Sequence, residues 1–304
     1  MKKTLALAIV LSLLQVLPAS AVENGTDATG NSFVVPITRT YSATATGFCS
    51  GILISSSIVV TARHCAMDST GLITKNVFVG KAGSSLDSIT SADKVSSVVA
   101  ESSSTSSTSN LVKDSDIAFL ILSHPQKVIT PIALATDAEA ASIRDSGGPL
   151  QEYGYGFYSD SGDVTPTYPK SFSGTYSSRI PLTSNSGYMK SLPGNACTGD
   201  SGSPVVSTYG GKTTLIGVVI GVNQRINCTK LNSDGNYYAL FTLVSRYQKL
   251  ALKAMAVVEA SKTPVTATKL PAQATRTIAC RKGSTIKKIT AVNPKCPAGY
   301  LVSK

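Results

Sequence analysis

Short apolar or alternating runs recur along the chain between residues 22 and 244, separated by Gly, Ser, Asn and Asp. They read GILI, SIVVTA, NVFVG, DIAFLIL, SPVVS, TTLIGVVIGV and YYALFTLV. Short runs bounded by turn-forming residues are typical of β-strands, and their recurrence at short intervals predicts an all-β sandwich or barrel. The polar, low-complexity stretch ESSSTSSTSN at 101–110 is interpreted as a surface loop.

After residue 244 the spacing of apolar residues changes from that of a strand to that of a helix. Five residues share one face at helical spacing: Tyr247, Leu250, Ala251, Ala254 and Val258. We therefore predict a helix over residues 245–259, with Ser245 as its cap and the apolar face as a packing surface. Residues 261–275 have the Pro, Thr and Ala content of an extended linker, and residues 276–304 follow as a separate tail.

The first 21 residues predict a signal peptide. Two lysines precede an apolar run at 5–17, and the small residues ASA at 19–21 form the pattern that signal peptidase recognises. The run is short for a membrane span, although an N-terminal anchor helix is the alternative. We expect cleavage after Ala21, which would place a mature chain beginning at Val22 outside the cytoplasm, with no transmembrane span.

The net charge of +11 comes from 28 basic and 17 acidic residues, and it is concentrated at one end of the chain. Nine basic residues and no acidic residue lie between Ser261 and Lys304. Two further lysines belong to the predicted signal peptide, which leaves 17 basic and 17 acidic residues in 22–260. The main domain is therefore formally neutral, and the composition gives no support to nucleic-acid binding.

Six cysteines in a chain that is predicted to be exported indicate disulfides. Six cysteines allow fifteen connectivities, so spacing alone does not fix a unique pairing. The spacing favours pairs between sequence neighbours: Cys49 with Cys65, Cys197 with Cys228, and Cys280 with Cys296. No CxxC spacing typical of a metal site occurs.

The chain contains two histidines, so few residues can serve as a general base. His124, in LSHPQ, is interpreted as a surface residue, whereas His64 follows an apolar strand in VVTARHC. A neutral imidazole activates a hydroxyl when a carboxylate fixes its tautomer and stabilises its charged form. The segment DSDIAFLIL offers Asp114 and Asp116 at the start of a buried strand, and Asp116, next to the apolar run, is the better candidate.

Three segments occur in the order FCSGILISSSIVVTARHC, DSDIAFLIL and CTGDSGSPV. They resemble the His, Asp and Ser regions of chymotrypsin/trypsin-like serine proteases, and the resemblance covers most of residues 22–260. It implies that Ser201 is the nucleophile, His64 the general acid and base, and Asp116 the orienting carboxylate, with no metal or cofactor.

The same resemblance implies two antiparallel six-stranded β-barrels, roughly residues 22–135 and 136–244, followed by the predicted helix. In the family, the backbone N–H groups of the residues matching Gly199 and Ser201 form the oxyanion hole, which stabilises the tetrahedral intermediate. Two of the favoured disulfides, Cys49–Cys65 and Cys197–Cys228, match pairings that are usual in the family.

Three residues correspond to the primary specificity pocket, which receives the substrate side chain before the cleaved bond. Asn195 resembles the residue at the floor of this pocket, and Ile220 and Val222 align with its wall. An Asp at the floor would select Lys or Arg through a charge-assisted pair, which Asn cannot form, and Val222 would narrow the pocket. The resemblance therefore implies a preference for uncharged, small or medium side chains.

Asp200 precedes the expected nucleophile and matches a family residue that pairs with a newly formed N-terminal ammonium. A buried carboxylate needs such a partner or becomes neutral. The segment VENGTDAT resembles the start of the mature family domain, so we expect signal cleavage to free Val22 for an ion pair with Asp200. The alternative is that other donors hold Asp200.

The residues leave three functional interpretations open. The first is a secreted serine endopeptidase that acts on protein or peptide substrates through an acyl-enzyme at Ser201. The second is a catalytically silent binding protein with the same fold, and the third is a cell-surface adhesin. In each case the basic tail at 276–304 is expected to form a hairpin closed by one disulfide, which holds the protein at an anionic cell envelope or merely solubilises it.

Overall fold

The computed structural model describes residues 25–42, 45–66, 72, 76–101, 116–127, 131–157, 166–177, 185–209, 211–222, 228, 230–262 and 275–303. The predicted signal peptide, the serine-rich stretch from residue 102 onward and linker residues 263–274 lie outside these ranges. The chain divides into two compact units, residues 1–260 and 261–304.

Fourteen strands lie in the described part of the first unit. They are β1 (Thr26–Asp27), β2 (Val34–Ser42), β3 (Ala45–Ser55), β4 (Ile58–Thr61), β5 (Val77–Val79), β6 (Val95–Ala100), β7 (Ala118–Leu122), β8 (Ala133–Leu134), β9 (Pro149–Gly154), β10 (Lys170–Tyr176), β11 (Ser186–Ser191), β12 (Pro204–Tyr209), β13 (Lys212–Val222) and β14 (Tyr237–Leu243). All their pairings are antiparallel except that of β8 with β13. The all-β prediction is confirmed.

Strands β2 to β7 form the first barrel, in the order β5-β2-β3-β4-β7-β6. A bridge between Phe78 of β5 and Lys94, the residue before β6, joins the two ends of this sheet. In the second sheet, β9 pairs with both β10 and β12, so six strands follow one another in the ring β9-β10-β11-β14-β13-β12. The second barrel expected from the sequence is therefore closed, whereas the first is a curled six-stranded sheet whose ends meet at a single bridge.

Every residue of β7 is buried because both faces of this strand are covered. Ala118, Leu120 and Leu122 pack in a cluster built mainly from first-barrel strands. Phe119 and Ile121 pack in a second cluster, to which the second barrel and the C-terminal helix also contribute. Two covered faces explain why the run AFLIL is apolar throughout instead of alternating.

Helix α1 (Asp137–Ser146) is absent from the sequence-based prediction, which assigned residues 136–244 to the second barrel without a helix. Its sequence nevertheless carries signals at both ends. Thr136 and Glu139 form a reciprocal capping box, in which each side chain accepts the backbone N–H of the other residue. Gly147 ends the helix in the left-handed conformation, with φ of 60°.

Helix α2 (Gln248–Lys262) begins and ends three residues later than the predicted helix at 245–259. Residues Val244–Tyr247 form a 3-10 turn instead, and the Ser245 hydroxyl is buried there with no hydrogen-bond partner among the described residues. Ser245 is therefore not a helix cap. The predicted apolar face does pack against the barrels, with Ala251 and Ala254 fully buried.

The second unit is a small sheet of three strands: β15 (Arg276–Lys282), β16 (Thr285–Ala291) and β17 (Leu301–Val302). Strand β15 lies in the centre, and a disulfide joins Cys280 to Cys296. The expected disulfide-linked hairpin is present, and β17 adds a third strand to it. Across the described parts of both units, no helix combines the length and the apolar character needed to cross a membrane.

Candidate active site

His64 and Asp116 lie at neighbouring strand ends of the first barrel. The 3-10 turn Arg63–Ala66 follows β4, and Asp116 lies just before β7. Strands β4 and β7 are antiparallel partners with Thr61 opposite Ala118, so the turn after one strand meets the residues before the other. This pairing brings together two residues that are 52 positions apart in the sequence.

The Asp116 carboxylate holds His64 at two points. Oδ2 lies 2.8 Å from ring atom Nδ1, and Oδ1 accepts the backbone N–H of His64 at 2.9 Å. The Asp116 residue is only 5% exposed, whereas the His64 side chain is 29% exposed. With Nδ1 facing a carboxylate, Nε2 remains as the ring nitrogen that can take up a proton.

Burial by itself raises the pKa of Asp116, because it disfavours the charged carboxylate. The charge and hydrogen bond of His64, with the backbone N–H groups of His64 and Arg63, outweigh burial and hold the pKa below its usual value. Asp116 is therefore a carboxylate at neutral pH. It is suited to orient the ring and to stabilise its protonated form.

Two hydrogen bonds from other strands hold the backbone carbonyl groups of Asp116 and His64. The Thr242 hydroxyl of β14 donates to the Asp116 carbonyl oxygen at 3.3 Å. The Arg39 guanidinium of β2 donates to the His64 carbonyl oxygen. Strands of both barrels therefore fix the backbone of the two residues.

Ser201 lies in a tight turn before β12 that requires two glycines. Gly199 and Gly202 have φ of 98° and 83°, values that side-chain-bearing residues rarely adopt. A Cβ on Gly199 would lie 2.1 Å from Phe48 Cε2, and one on Gly202 would lie 2.0 Å from Thr61 Oγ1. Both the backbone conformation and the available space thus exclude other residues at these positions.

The turn of Ser201 contacts the turn of His64 through Cys65. The Cys65 sulfur lies 3.5 Å from the Ser201 carbonyl oxygen, and the Cys49–Cys65 disulfide ties the same turn to β3. A second disulfide, Cys197–Cys228, anchors the chain just before Ser201. Between the described atoms of His64 and Ser201 there is no hydrogen bond, and such bonds between nucleophile and base often shorten only when substrate binds.

Two fully buried carboxyl groups, those of Asp200 and Glu152, lie behind this turn. The Asp200 oxygens accept the backbone N–H groups of Gly156 and Cys197, each at 2.8 Å, and the Ser203 hydroxyl at 3.4 Å. Neither carboxyl oxygen of Glu152 makes a well-formed hydrogen bond to a described residue. The second barrel therefore contains an acidic pair next to the candidate nucleophile.

Burial raises the pKa of Asp200 to about 7, although its hydrogen-bond donors act in the opposite direction. Burial and repulsion from Asp200 raise the pKa of Glu152 well above its usual value. The expected partner of Asp200, Val22, lies outside the described residues. The alternative predicted from the sequence is that other donors hold Asp200. The backbone N–H groups of Gly156 and Cys197 are such donors.

The three residues assigned to the specificity pocket differ in their environments. Asn195 is buried, and its Nδ2 donates to the Cys228 carbonyl oxygen at 2.6 Å. Ile220 is also buried and packs in the same cluster as Leu240, so its side chain contributes to the core. Val222, at the end of β13, is half-buried and is the more accessible of the two wall residues.

One grouping of potential metal ligands lies in the described part of the chain: Cys49, His64 and Cys65. Both sulfurs are joined in a disulfide, so neither can act as a thiolate ligand.

The second histidine, His124, lies on the surface, as predicted.

The Trypsin family matches residues 22–251. The chain belongs to the trypsin family. A trypsin-family relative, vitamin K-dependent protein C of Rattus norvegicus, is 30% identical over 224 residues, which make up 66% of this chain and 44% of that protein. The chain therefore spans less than half the length of this relative. Residues 22–251 form a trypsin-like serine protease domain, and this class of domain hydrolyses peptide bonds.

Two buried polar residues of the trypsin-like domain, Ser50 and Glu152, were not identified from the sequence. Both lie within strands, Ser50 in β3 and Glu152 in β9. Ser50 hydrogen-bonds to Gly199 in the turn that carries Ser201, and the Glu152 carboxyl lies close enough to Asp200 to be affected by its charge. No local motif marks either residue, because their burial depends on segments that are distant in the sequence.

Proposed function

We propose that the protein is a secreted serine endopeptidase that cleaves protein or peptide substrates without a metal or cofactor. Ser201 Oγ attacks the substrate carbonyl carbon while His64 Nε2 takes the hydroxyl proton. The C–N bond then breaks, His64 returns the proton to the leaving amine, and an acyl ester remains on Ser201. Water hydrolyses this ester by the same proton transfers and releases the acid product.

The observation that carries this proposal is the two-point contact between Asp116 and His64, beside the Ser201 turn of a trypsin-family domain. A ring that is fixed at Nδ1 by a carboxylate has the tautomer that general-base catalysis needs. The disulfides agree with a secreted protein, because such bonds persist in oxidising compartments.

The backbone of the Ser201 turn also supports the proposed oxyanion hole. The N–H of Gly202 donates to the Val219 carbonyl oxygen at 2.7 Å, and those of Asp200 and Ser203 also have backbone partners. In contrast, the N–H groups of Gly199 and Ser201 make no hydrogen bond to a described residue. Two unused donors beside the nucleophile are what stabilisation of a developing oxyanion requires.

Labelling with a fluorophosphonate probe, which reacts with activated serines, tests the proposal. The wild-type protein should be labelled at Ser201, as located by mass spectrometry of its peptides, because His64 activates this hydroxyl. The Ser201→Ala variant and heat-unfolded wild type should not react. A folded wild-type protein that remains unlabelled would instead support the catalytically silent binding protein.

For the tail we propose electrostatic attachment to an anionic cell envelope. Six basic side chains of the tail at 276–304 are exposed: Arg276, Arg281, Lys282, Lys287, Lys288 and Lys295. No acidic residue lies in this segment to offset them. Charge-based attachment of this kind weakens as salt screens the interaction.

Retention of the full-length protein on envelope preparations should decrease as the salt concentration rises. Neutralising two tail lysines, Lys288→Gln with Lys295→Gln, should lower retention at low salt. The matched control, Lys249→Gln with Lys253→Gln, removes the same charge from the exposed face of α2 and should retain the protein like wild type. Equal losses in the two variants, or none in either, would leave only the solubilising role for the tail.

A further inference from the structure

Ser50 lies in β3 of the first barrel and is fully buried against the turn that carries Ser201. Its backbone N–H donates to the Ser201 carbonyl oxygen at 2.8 Å. Its hydroxyl donates to the Gly199 carbonyl oxygen at 3.0 Å and accepts the backbone N–H of Tyr155 at 2.9 Å. One residue of the first barrel therefore contacts two segments of the second barrel.

The direction of the Ser50 hydroxyl is fixed by its two partners. A carbonyl oxygen can only accept and a backbone N–H can only donate, so the hydroxyl proton must point to Gly199. The carbonyl of Gly199 belongs to the peptide unit that joins Gly199 to Asp200. This unit lies between the two N–H groups proposed for the oxyanion hole. Because a peptide unit is planar, fixing its oxygen restricts the rotation of the N–H groups on either side.

We propose that Ser50 is a positioning residue of the oxyanion hole, which it orients by holding the Gly199 carbonyl. This inference rests on the proposed peptidase function. Ser50 does not touch substrate, because it is fully buried. Its effect on the reaction is transmitted through the backbone of residues 199–201.

Two neighbours hold Ser50 and Gly199 in this arrangement. The Thr61 hydroxyl donates to the Ser50 carbonyl oxygen at 2.7 Å, which fixes β3 at this position. Phe48, two residues earlier on the same face of β3, packs so closely on Gly199 that no side chain fits there. The Phe48 ring also packs edge-on against Phe157, with centroids 4.9 Å apart. The oxyanion turn is therefore held against β3 by two hydrogen bonds from Ser50 and by the close packing of Phe48.

The Ser50→Ala variant tests the role of the hydroxyl. Turnover should fall about tenfold to a hundredfold, less than the loss of an oxyanion donor itself, while KM changes by less than about threefold. Binding of a peptide aldehyde, whose adduct with Ser201 carries an oxyanion-like oxygen, should weaken by the same factor as turnover. Ser207→Ala is the matched control, because Ser207 is a buried serine whose hydroxyl donates to the Pro149 carbonyl oxygen at 2.8 Å away from the turn.

The possible outcomes separate this inference from the proposed function. A wild-type protein that hydrolyses no peptide refutes the proposed function, and the inference with it. An active wild type with unchanged turnover in Ser50→Ala refutes the positioning role alone, as does an equal loss in Ser207→Ala. If Ser50→Ala does not fold, Ser50→Cys replaces it, because a thiol of similar shape is only a weak donor to the Gly199 carbonyl oxygen. Its turnover should fall about threefold to tenfold with KM unchanged, and an unaltered turnover overturns the inference.

Discussion

Replacing Asp116 by Asn is expected to lower the turnover of peptide hydrolysis about 10,000-fold at neutral pH, with little change in the fold. Oδ1 of Asp116 accepts the backbone N–H of His64, so the amide oxygen of Asn should keep this position and the NH₂ group should face Nδ1. An NH₂ group cannot accept a proton, so Nδ1 must become the acceptor and the ring proton moves to Nε2. A ring protonated at Nε2 cannot take the Ser201 proton.

Steady-state hydrolysis of a peptide substrate measures this loss, and thermal unfolding checks that the variant is folded. Asp114→Asn is the control, because Asp114, which lies outside the described residues, is the other carboxylate that the sequence offers before the apolar run. It should keep the turnover of the wild type. If Asp114→Asn shows the large loss and Asp116→Asn does not, the choice between the two carboxylates is reversed.

The sequence was informative about Asp116 because each residue of the candidate triad lies in a motif that its neighbours mark. The uniformly apolar run after Asp116 predicts a strand with both faces covered, and β7 is such a strand. The glycines around Ser201 predict a tight turn, and both adopt positive φ. These properties depend on residues nearby in the sequence, so they can be predicted from it.

Ser50 and Glu152 could not be predicted in this way. A polar residue within a strand is normally assigned to the solvent face, since alternation places every second side chain there. Ser50 is buried because a turn 149 residues later packs against it. Glu152 is buried because it shares one face of β9 with Leu150 and Gly154, and this face is covered within the ring that β9 closes by pairing with β10 and β12. Contacts between distant segments decide both cases.

Ser245 illustrates the opposite error, in which a local signal is present but is not used. A serine before an apolar helical pattern is a common cap, yet a 3-10 turn precedes α2 and buries this hydroxyl. In α1, by contrast, the capping box of Thr136 and Glu139 does form, although no helix is predicted from the sequence in this part of the second barrel. Local signals therefore identify candidates for helix ends, and packing decides which of them form.

Replacing Glu152 by Gln is expected to increase the free energy of unfolding relative to wild type, by an amount that grows with pH. Burial and the Asp200 charge raise the pKa of Glu152 well above its ordinary value of 4.5. At pH values between 4.5 and the folded-state pKa of Glu152, this side chain keeps its proton in the folded protein and releases it in the unfolded chain. Wild-type stability therefore falls as pH rises, by about 1.4 kcal/mol per pH unit, whereas Gln is neutral throughout.

Urea unfolding at about pH 4, 5.5 and 7 measures this difference, which should be small at the lowest pH and grow toward the highest. Asp87→Asn removes an exposed carboxylate and controls for the loss of one negative charge. A Glu152→Gln difference that stays constant with pH would contradict a neutral Glu152, and would indicate that a cation already balances the two carboxyl groups. The ammonium of Val22 is the cation expected from the sequence, so N-terminal sequencing of the same preparation distinguishes the cases. If the chain starts at Val22 and the Glu152→Gln difference does not change with pH, the Val22 ammonium forms the ion pair. If the chain starts at Val22 and the wild type loses stability as pH rises, Glu152 is instead protonated beside Asp200.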